Sequence, residues 1–344
     1  MPKTSSERPR RGWRIHRHGP TMGTRWSVSC DVEPEIATDA LHQALAAAVE
    51  QVDRQMSPWK PDSDLNRLNQ APPDHWVALP AQILQVLTRA LDISRLSSGA
   101  FDPAVGALVD AWGFGAVRDR PDAVAIRAAA QATYQPAHQG LELDALAGRA
   151  CKRAPVQLDL CGIAKGYAVD QMAAVLQRHG VQHALVALDG ELRAVGSQAD
   201  GQPWAVAVES PQPGRRAAHG VIELQDLAIA TSGDYRRWVE VGGVRLSHTM
   251  DARRAAPVHH AVASVTVLAR DCMSADAWAT ALLVAGPGEG PALAQRMGLE
   301  ALFLLRREGR WVELGLGRFA AAPAANPMAH HHAPTAPPAP PHAR

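Results

Sequence analysis

The stretch Gln157-Leu158-Asp159-Leu160-Cys161-Gly162-Ile163-Ala164-Lys165-Gly166-Tyr167-Ala168-Val169-Asp170 constrains this chain most tightly. Apolar residues alternate up to a carboxylate and a glycine follows. Val169, Met172, Ala173, Val175 and Leu176 then recur at helical spacing, with Gly180 as the stop. The pattern predicts a strand, a turn and a helix, with Asp159 near the rim. Amides exposed at such a turn suit phosphate, and Lys165 adds a mobile positive charge in the first helical turn. Strand–glycine–helix junctions are also common as plain structure, so the motif takes its meaning from its company.

At 344 residues the chain accommodates two domains or one large mixed domain, and at 47% hydrophobic it can bury a sizeable core. A net charge of +1 argues against a basic field for nucleic acid or anionic lipid. Cys30, Cys151, Cys161 and Cys272 are scattered without metal-ligand spacing, which predicts free thiols and neither disulfides nor a zinc site. No apolar leader precedes Met22 and no run is long enough to span a bilayer. The expected location is therefore cytoplasmic.

Residues 1–19 read as a flexible basic arm and 319–344, rich in Ala, Pro and His, as a disordered tail. His330, His331 and His332 lie in that tail. Between them, Thr24–Val32 alternates as a strand. Thr38 is placed to cap a long helix with Leu41, Leu45, Val49, Val52 and Met56 on its apolar face. Ser63 is placed to cap a short helix, and another runs from about Pro80 to Leu96. Short β-like runs follow residue 183, with Ala261–Arg270 the clearest strand. Gly-Pro punctuation from Pro287 to Pro291 predicts a loop between two last helical stretches.

In Ser274–Gly286, Ser274 stands as an N-cap, with Asp276 in the first turn and Thr280 on the same face. A carboxylate and a hydroxyl one turn apart are hard oxygen ligands. With a carbonyl, waters and a substrate phosphate they can complete a magnesium shell. The same residues equally suit the helix dipole and a bond to the i−4 carbonyl. Thr231–Tyr235 reads as a tight turn and Asp189-Gly190-Glu191 as a hairpin turn. His248 and Asp251, three apart, form either an acid–base pair or ordinary surface detail.

Taken in order, Met22–Thr24, Met56–Asn69, Gly99–Gly115, Leu158–Asp170, Thr231–Tyr235, His248–Asp251 and Ser264–Gly286 resemble the ApbE family of FAD:protein FMN transferases. The resemblance covers residues 20–318. It implies an α+β body of two lobes, mostly antiparallel sheet with flanking helices, around a central FAD cleft. It further implies magnesium-dependent transfer of the FMN half of FAD to a Thr or Ser hydroxyl of an acceptor flavoprotein, with AMP released.

Residue by residue, the resemblance assigns Met22, Trp59, Ala100, Phe101, Asp102, Asp159, Lys165 and Met250 to FAD. It assigns the Gly162 carbonyl, Asp276 and Thr280 to Mg2+, and His248 or Asp251 is placed to serve as the base. The loop after the histidine departs from the family pattern H-x-x-D-P-x-T-G-x-P, with Ala252, Arg254 and Ala255 replacing Pro, Thr and Gly. An alanine where the family glycine takes positive φ costs about 1 kcal/mol. The family's usual double glycine before the acidic residue is here Asp189-Gly190. These departures leave two alternatives to transfer: hydrolysis of FAD to FMN and AMP, or FAD binding without turnover.

Overall fold

The computed structural model describes residues 13–212 and 217–321. Its frame is an eight-stranded sheet formed by β1 (Trp13–Thr21), β2 (Thr24–Val32), β3 (His183–Leu188), β4 (Glu191–Val195), β5 (Ala228–Gly233), β6 (Val262–Ala269), β7 (Glu300–Arg307) and β8 (Arg310–Leu316). Spatial order follows chain order, and every neighbouring pair is antiparallel. Alternation in β2 sends Trp26, Val28, Cys30 and Val32 into the core.

Helices α1 (Thr38–Met56), α4 (Ala164–Arg178) and α5 (Cys272–Arg296) pack together, and α4 and α5 lie on one sheet face. A two-stranded ribbon, Trp204–Glu209 with Ala218–Leu224, covers the other. There Trp204, Val206, Val208 and Leu224 pack against Ile229, Leu268, Leu302 and Leu304. With both faces covered, β6 is buried along almost its whole length, which explains its unbroken apolar sequence. A smaller lobe contains α2 (Asp64–Gln70), α3 (Ala81–Leu96) and a three-stranded sheet of Trp76–Ala78, Arg149–Lys152 and Leu141–Asp144. The whole is the α+β architecture expected.

Local departures from expectation have identifiable causes. Residues 13–19 are not an arm: they belong to β1, paired with β2 from Trp13↔Val32 to Thr21↔Thr24. An edge strand buries little, and in β1 only Ile15 is buried. Residues 1–12 of the expected arm and 322–344 of the expected tail lie outside the described residues. Thr38 does not cap α1, since Ala37 holds that position without a side-chain bond. Ser63 does cap α2, accepting from the Asn66 amide at 3.1 Å.

Gln157–Leu160 joins no sheet among the described residues. Asn69 holds it as a peptide group would, donating to the Leu158 carbonyl at 2.9 Å and accepting from the Leu158 amide at 2.8 Å. Thr231–Gly233 lies within β5 rather than in a turn. The expected loop at Pro287–Pro291 is only a kink, made by Gly286 at φ 72°, after which the helix resumes with Pro287 at its start.

Candidate active site

The lobes enclose a cleft of about 440 Å³. Met22, Trp59, Ala100, Phe101, Asp102, Asp159, Gly162, Lys165, His248, Met250, Asp276 and Thr280 all line it. Asp251 does not. Its carboxylate is buried and accepts from the Arg253 amide at 3.0 Å and from the Arg253 guanidinium at 3.0 and 3.1 Å. That engagement corrects its candidacy as a base: the group closes the small hairpin Met250–Asp251/Ala256–Pro257.

Met22 and Gly23 form the two-residue loop between β1 and β2, with φ 45° and 70°. Both positive values match a type I′ hairpin turn, which is unusual for a methionine and presents its side chain to the cleft. Trp59 follows the end of α1 and is 50% exposed, a planar ring open to a ligand. Asp102 is fully engaged, accepting from Tyr134 Oη at 2.6 Å and from the amides of Ala104 and Ala137 at 2.9 and 3.1 Å. Burial pushes its carboxyl up, against those donors. The Asp102 side chain therefore shapes the wall at Ala100–Phe101. Asp159 accepts from the Cys161 amide at 2.7 Å and closes the turn that leads into α4.

At the start of α4 the helical bonding is diverted. The Gly166 amide, in register to bond back to the Gly162 carbonyl, donates instead to Asp276 Oδ2 at 3.0 Å. No backbone amide is donated to the Gly162 carbonyl among the described residues. A Cβ at Gly166 would lie 2.3 Å from the Cys272 carbonyl, so only glycine lets α4 and α5 approach this closely. A Cβ at Gly162 would lie 3.1 Å from Thr280 Oγ1, which places that peptide against the threonine. Thr280 pairs its hydroxyl with Ser232 Oγ at 3.0 Å.

Asp271, not Ser274, caps α5, accepting from the Ser274 amide at 2.7 Å. The helix thus begins at Cys272, and Asp276 falls one residue beyond the first turn. Among the described residues no three His, Cys, Asp or Glu side chains cluster as a metal cage. The available donors are oxygens: the Asp276 carboxylate, the Thr280 hydroxyl and the free Gly162 carbonyl. Such a set fits a hard cation such as Mg2+ that also takes water and phosphate, and not zinc.

Lys165 donates to Glu191 Oε1 at 2.6 Å and stands 3.9 Å from Asp189. Burial works against its charge, yet Glu191 and Asp276 outweigh that and hold its pKa above the ordinary lysine range. Burial in turn pushes up the carboxyls of Glu191 and Asp276, with Lys165 opposing. Glu191 is buried and its Oε2 has no partner among the described residues. The sequence reading treated it as part of a hairpin turn. It begins β4, and the signal lay in the neighbouring motif, since Lys165 requires a counter-charge.

His248 Nδ1 lies 3.2 Å from the Arg237 carbonyl. A carbonyl can only accept, so Nδ1 carries the hydrogen and Nε2 keeps its lone pair. Burial, reinforced by the Arg237 and Lys165 charges, lowers the pKa of the ring from 6.5 to about 4 despite that hydrogen bond. At neutral pH the imidazole is an uncharged base. Phe114 meets it edge-on, with ring centroids 6.2 Å apart.

The cleft thus brings oxygen donors, a lysine and a neutral histidine together between aromatic and apolar walls. This arrangement suits charge stabilisation and proton removal around a phosphorylated ligand. The ApbE family model matches residues 22–303, and the chain belongs to that family. It is 37% identical over 308 residues to an FAD:protein FMN transferase of Vibrio cholerae, covering 89% of this chain and 91% of that protein. It is 34% identical to one from Klebsiella pneumoniae, covering 85% and 84%. The solved flavin transferase ApbE from Vibrio cholerae superposes with a TM-score of 0.80 at 35% identity, covering 90% of this chain and 99% of that one. The apo flavinyl transferase ApbE of Pseudomonas stutzeri gives 0.78 at 36% identity, covering 89% and 95%.

Proposed function

We propose that this protein transfers the FMN moiety of FAD to a Thr or Ser hydroxyl of an acceptor flavoprotein, forming a phosphoester and releasing AMP. The observation that carries the reading is the meeting, in one cleft, of the oxygens of Asp276, Thr280 and Gly162 with Lys165 and a neutral His248. The names of the relatives support it.

In this reading Met22, Trp59, Phe101 and Met250 provide the apolar walls for FAD, and Lys165 faces its diphosphate. Asp276, Thr280 and the Gly162 carbonyl would hold Mg2+, which when bound neutralises phosphate charge in the transition state. Asp276 is positioned for that task by the Gly166 amide and Thr280 by Ser232. His248 Nε2 takes the acceptor hydroxyl proton, while its Nδ1–H, held by the Arg237 carbonyl, fixes the ring. The hydroxyl oxygen bonds to the FMN-side phosphorus, the bridging phosphorus–oxygen bond breaks, and AMP leaves with that electron pair.

The test is to incubate the protein with FAD, Mg2+ and a flavin-free flavoprotein. The expected result is a fluorescent acceptor band that survives denaturing electrophoresis, with AMP equimolar to it. Steady production of FMN and AMP with no labelled band would make the enzyme a pyrophosphatase. Intact FAD and no label would leave only a binding protein.

A further inference from the structure

His248 stands at the end of a ribbon that lies outside the main sheet. Trp238–Val241 and Val244–Ser247 form a two-stranded ribbon closed by Gly242 and Gly243, both at positive φ. Among the described residues the ribbon hydrogen-bonds to no other strand. Pairing sets Trp238 opposite Ser247, Val239 opposite Leu246, Glu240 opposite Arg245 and Val241 opposite Val244. Strand alternation then collects Val239, Val241, Val244 and Leu246 on one face. Val241 and Val244 are 42% and 45% exposed. On the opposite face the Arg245 guanidinium stacks 3.8 Å over the Trp238 ring. A free two-stranded ribbon is marginal in water, and at its tip Val241 and Val244 stand open beside the half-buried Val239 and Leu246.

The position of the ribbon selects the partner. One strand leaves the cleft directly after Arg236 and Arg237, and the other re-enters it at His248; all three residues line the cleft. We infer that the apolar face of the ribbon docks the acceptor flavoprotein, through an extended segment carrying apolar side chains beside its Thr or Ser. The inference rests on the transferase reading and adds where the protein substrate binds. The ribbon is the surface that continues in the chain from Arg236, Arg237 and His248 out of the cleft. A segment laid along it runs its hydroxyl towards His248 Nε2.

The test compares wild type with Val241→Lys/Val244→Lys, and with Val241→Thr/Val244→Thr, which keeps β-branched shape and strand preference. Probes are the flavin-free protein acceptor of the Vibrio cholerae FAD:protein FMN transferase and other flavin-free flavoproteins. Fluorescence quenching of FAD should match wild type in both variants. The KM for the acceptor that wild type labels should rise at least tenfold with lysine and severalfold with threonine, at unchanged kcat. An unchanged KM in both variants overturns the dock and spares the transferase reading. Absence of labelling by wild type on every probe overturns the reading and the dock with it. A wild-type dimer by light scattering that the lysines dissociate, with KM unmoved, assigns the ribbon to a second copy instead.

Discussion

The two sides of the cleft are built on opposite principles. The Asp276 side is overdetermined: two buried helices meet at Gly166, an amide fixes the carboxylate, and a strand hydroxyl fixes Thr280. The His248 side rests on one carbonyl, that of Arg237, which accepts from both the His248 amide and its Nδ1 at 3.2 Å, between an exposed ribbon and a small hairpin that holds Ala255 at φ 50°. Charge on a diphosphate must be met by groups that do not move, whereas a protein substrate has to enter and leave. In the proposed reaction the densely bonded groups would meet phosphate charge, and the more sparsely bonded histidine would meet the acceptor.

The comparison breaks most readily at Asp276. Asp276→Ala should lower FAD turnover by roughly 10³-fold, since it removes the only carboxylate of the oxygen set. FMN release measured across Mg2+ concentrations decides, and turnover within a few-fold of wild type would falsify the division of labour. Next in size, His248→Ala should slow transfer by roughly 10²-fold or more while FAD affinity stays within a few-fold. A parallel loss of FAD binding, seen by equilibrium titration, would put the histidine on the wrong side.

The pH dependence sharpens the same contrast. His248 titrates at about 4 rather than 6.5, so its base form persists above that value and is lost as pH falls through it. The acid limb of kcat/KM should therefore lie below the ordinary imidazole range. Folding also disfavours the protonated ring, so stability at this site declines as pH drops from 6.5 towards 4. A limb centred at ordinary imidazole values in the wild type would show that the ring is not desolvated.

Smaller effects concern the scaffolds. Gly166→Ala should destabilise the fold by about 1–3 kcal/mol, because the new methyl meets the Cys272 carbonyl, which is backbone and cannot swing away. Denaturant unfolding with and without Mg2+ measures it, and an unchanged midpoint would mean the helices can part freely. Ala255→Gly should stabilise by up to about 1 kcal/mol, relieving the positive φ. A loss of stability on that change would show that the alanine is not strained.

Much of this was legible in the sequence, for physical reasons. Alternation in β2 and helical spacing in α1 and α4 report burial on one face, so those elements followed from pattern. Ala255 was suspect from the glycine it replaces, and its φ is indeed positive. Edge strand β1 buries too little to leave an apolar signature, and Thr38 merely stood next to the true cap. Asp251 was a candidate by its spacing from His248, yet spacing cannot reveal that Arg253 takes up its carboxylate. Glu191 was invisible because its role exists only through Lys165, 26 positions away.

The Asn69 clamp on Leu158 has a consequence of its own. One side-chain amide, rooted in the smaller lobe, both gives and receives a hydrogen to keep taut the thread that bears Asp159 and Gly162. An aspartate there would match it in shape but have no hydrogen to offer the Leu158 carbonyl, and the two oxygens would repel. That nitrogen shares the thread with two backbone bonds, from the Gly106 amide to the Gln157 carbonyl at 3.0 Å and from the Asp159 amide to the Pro103 carbonyl at 2.8 Å, so its loss would free the thread from the smaller lobe's α2 while those two bonds remained.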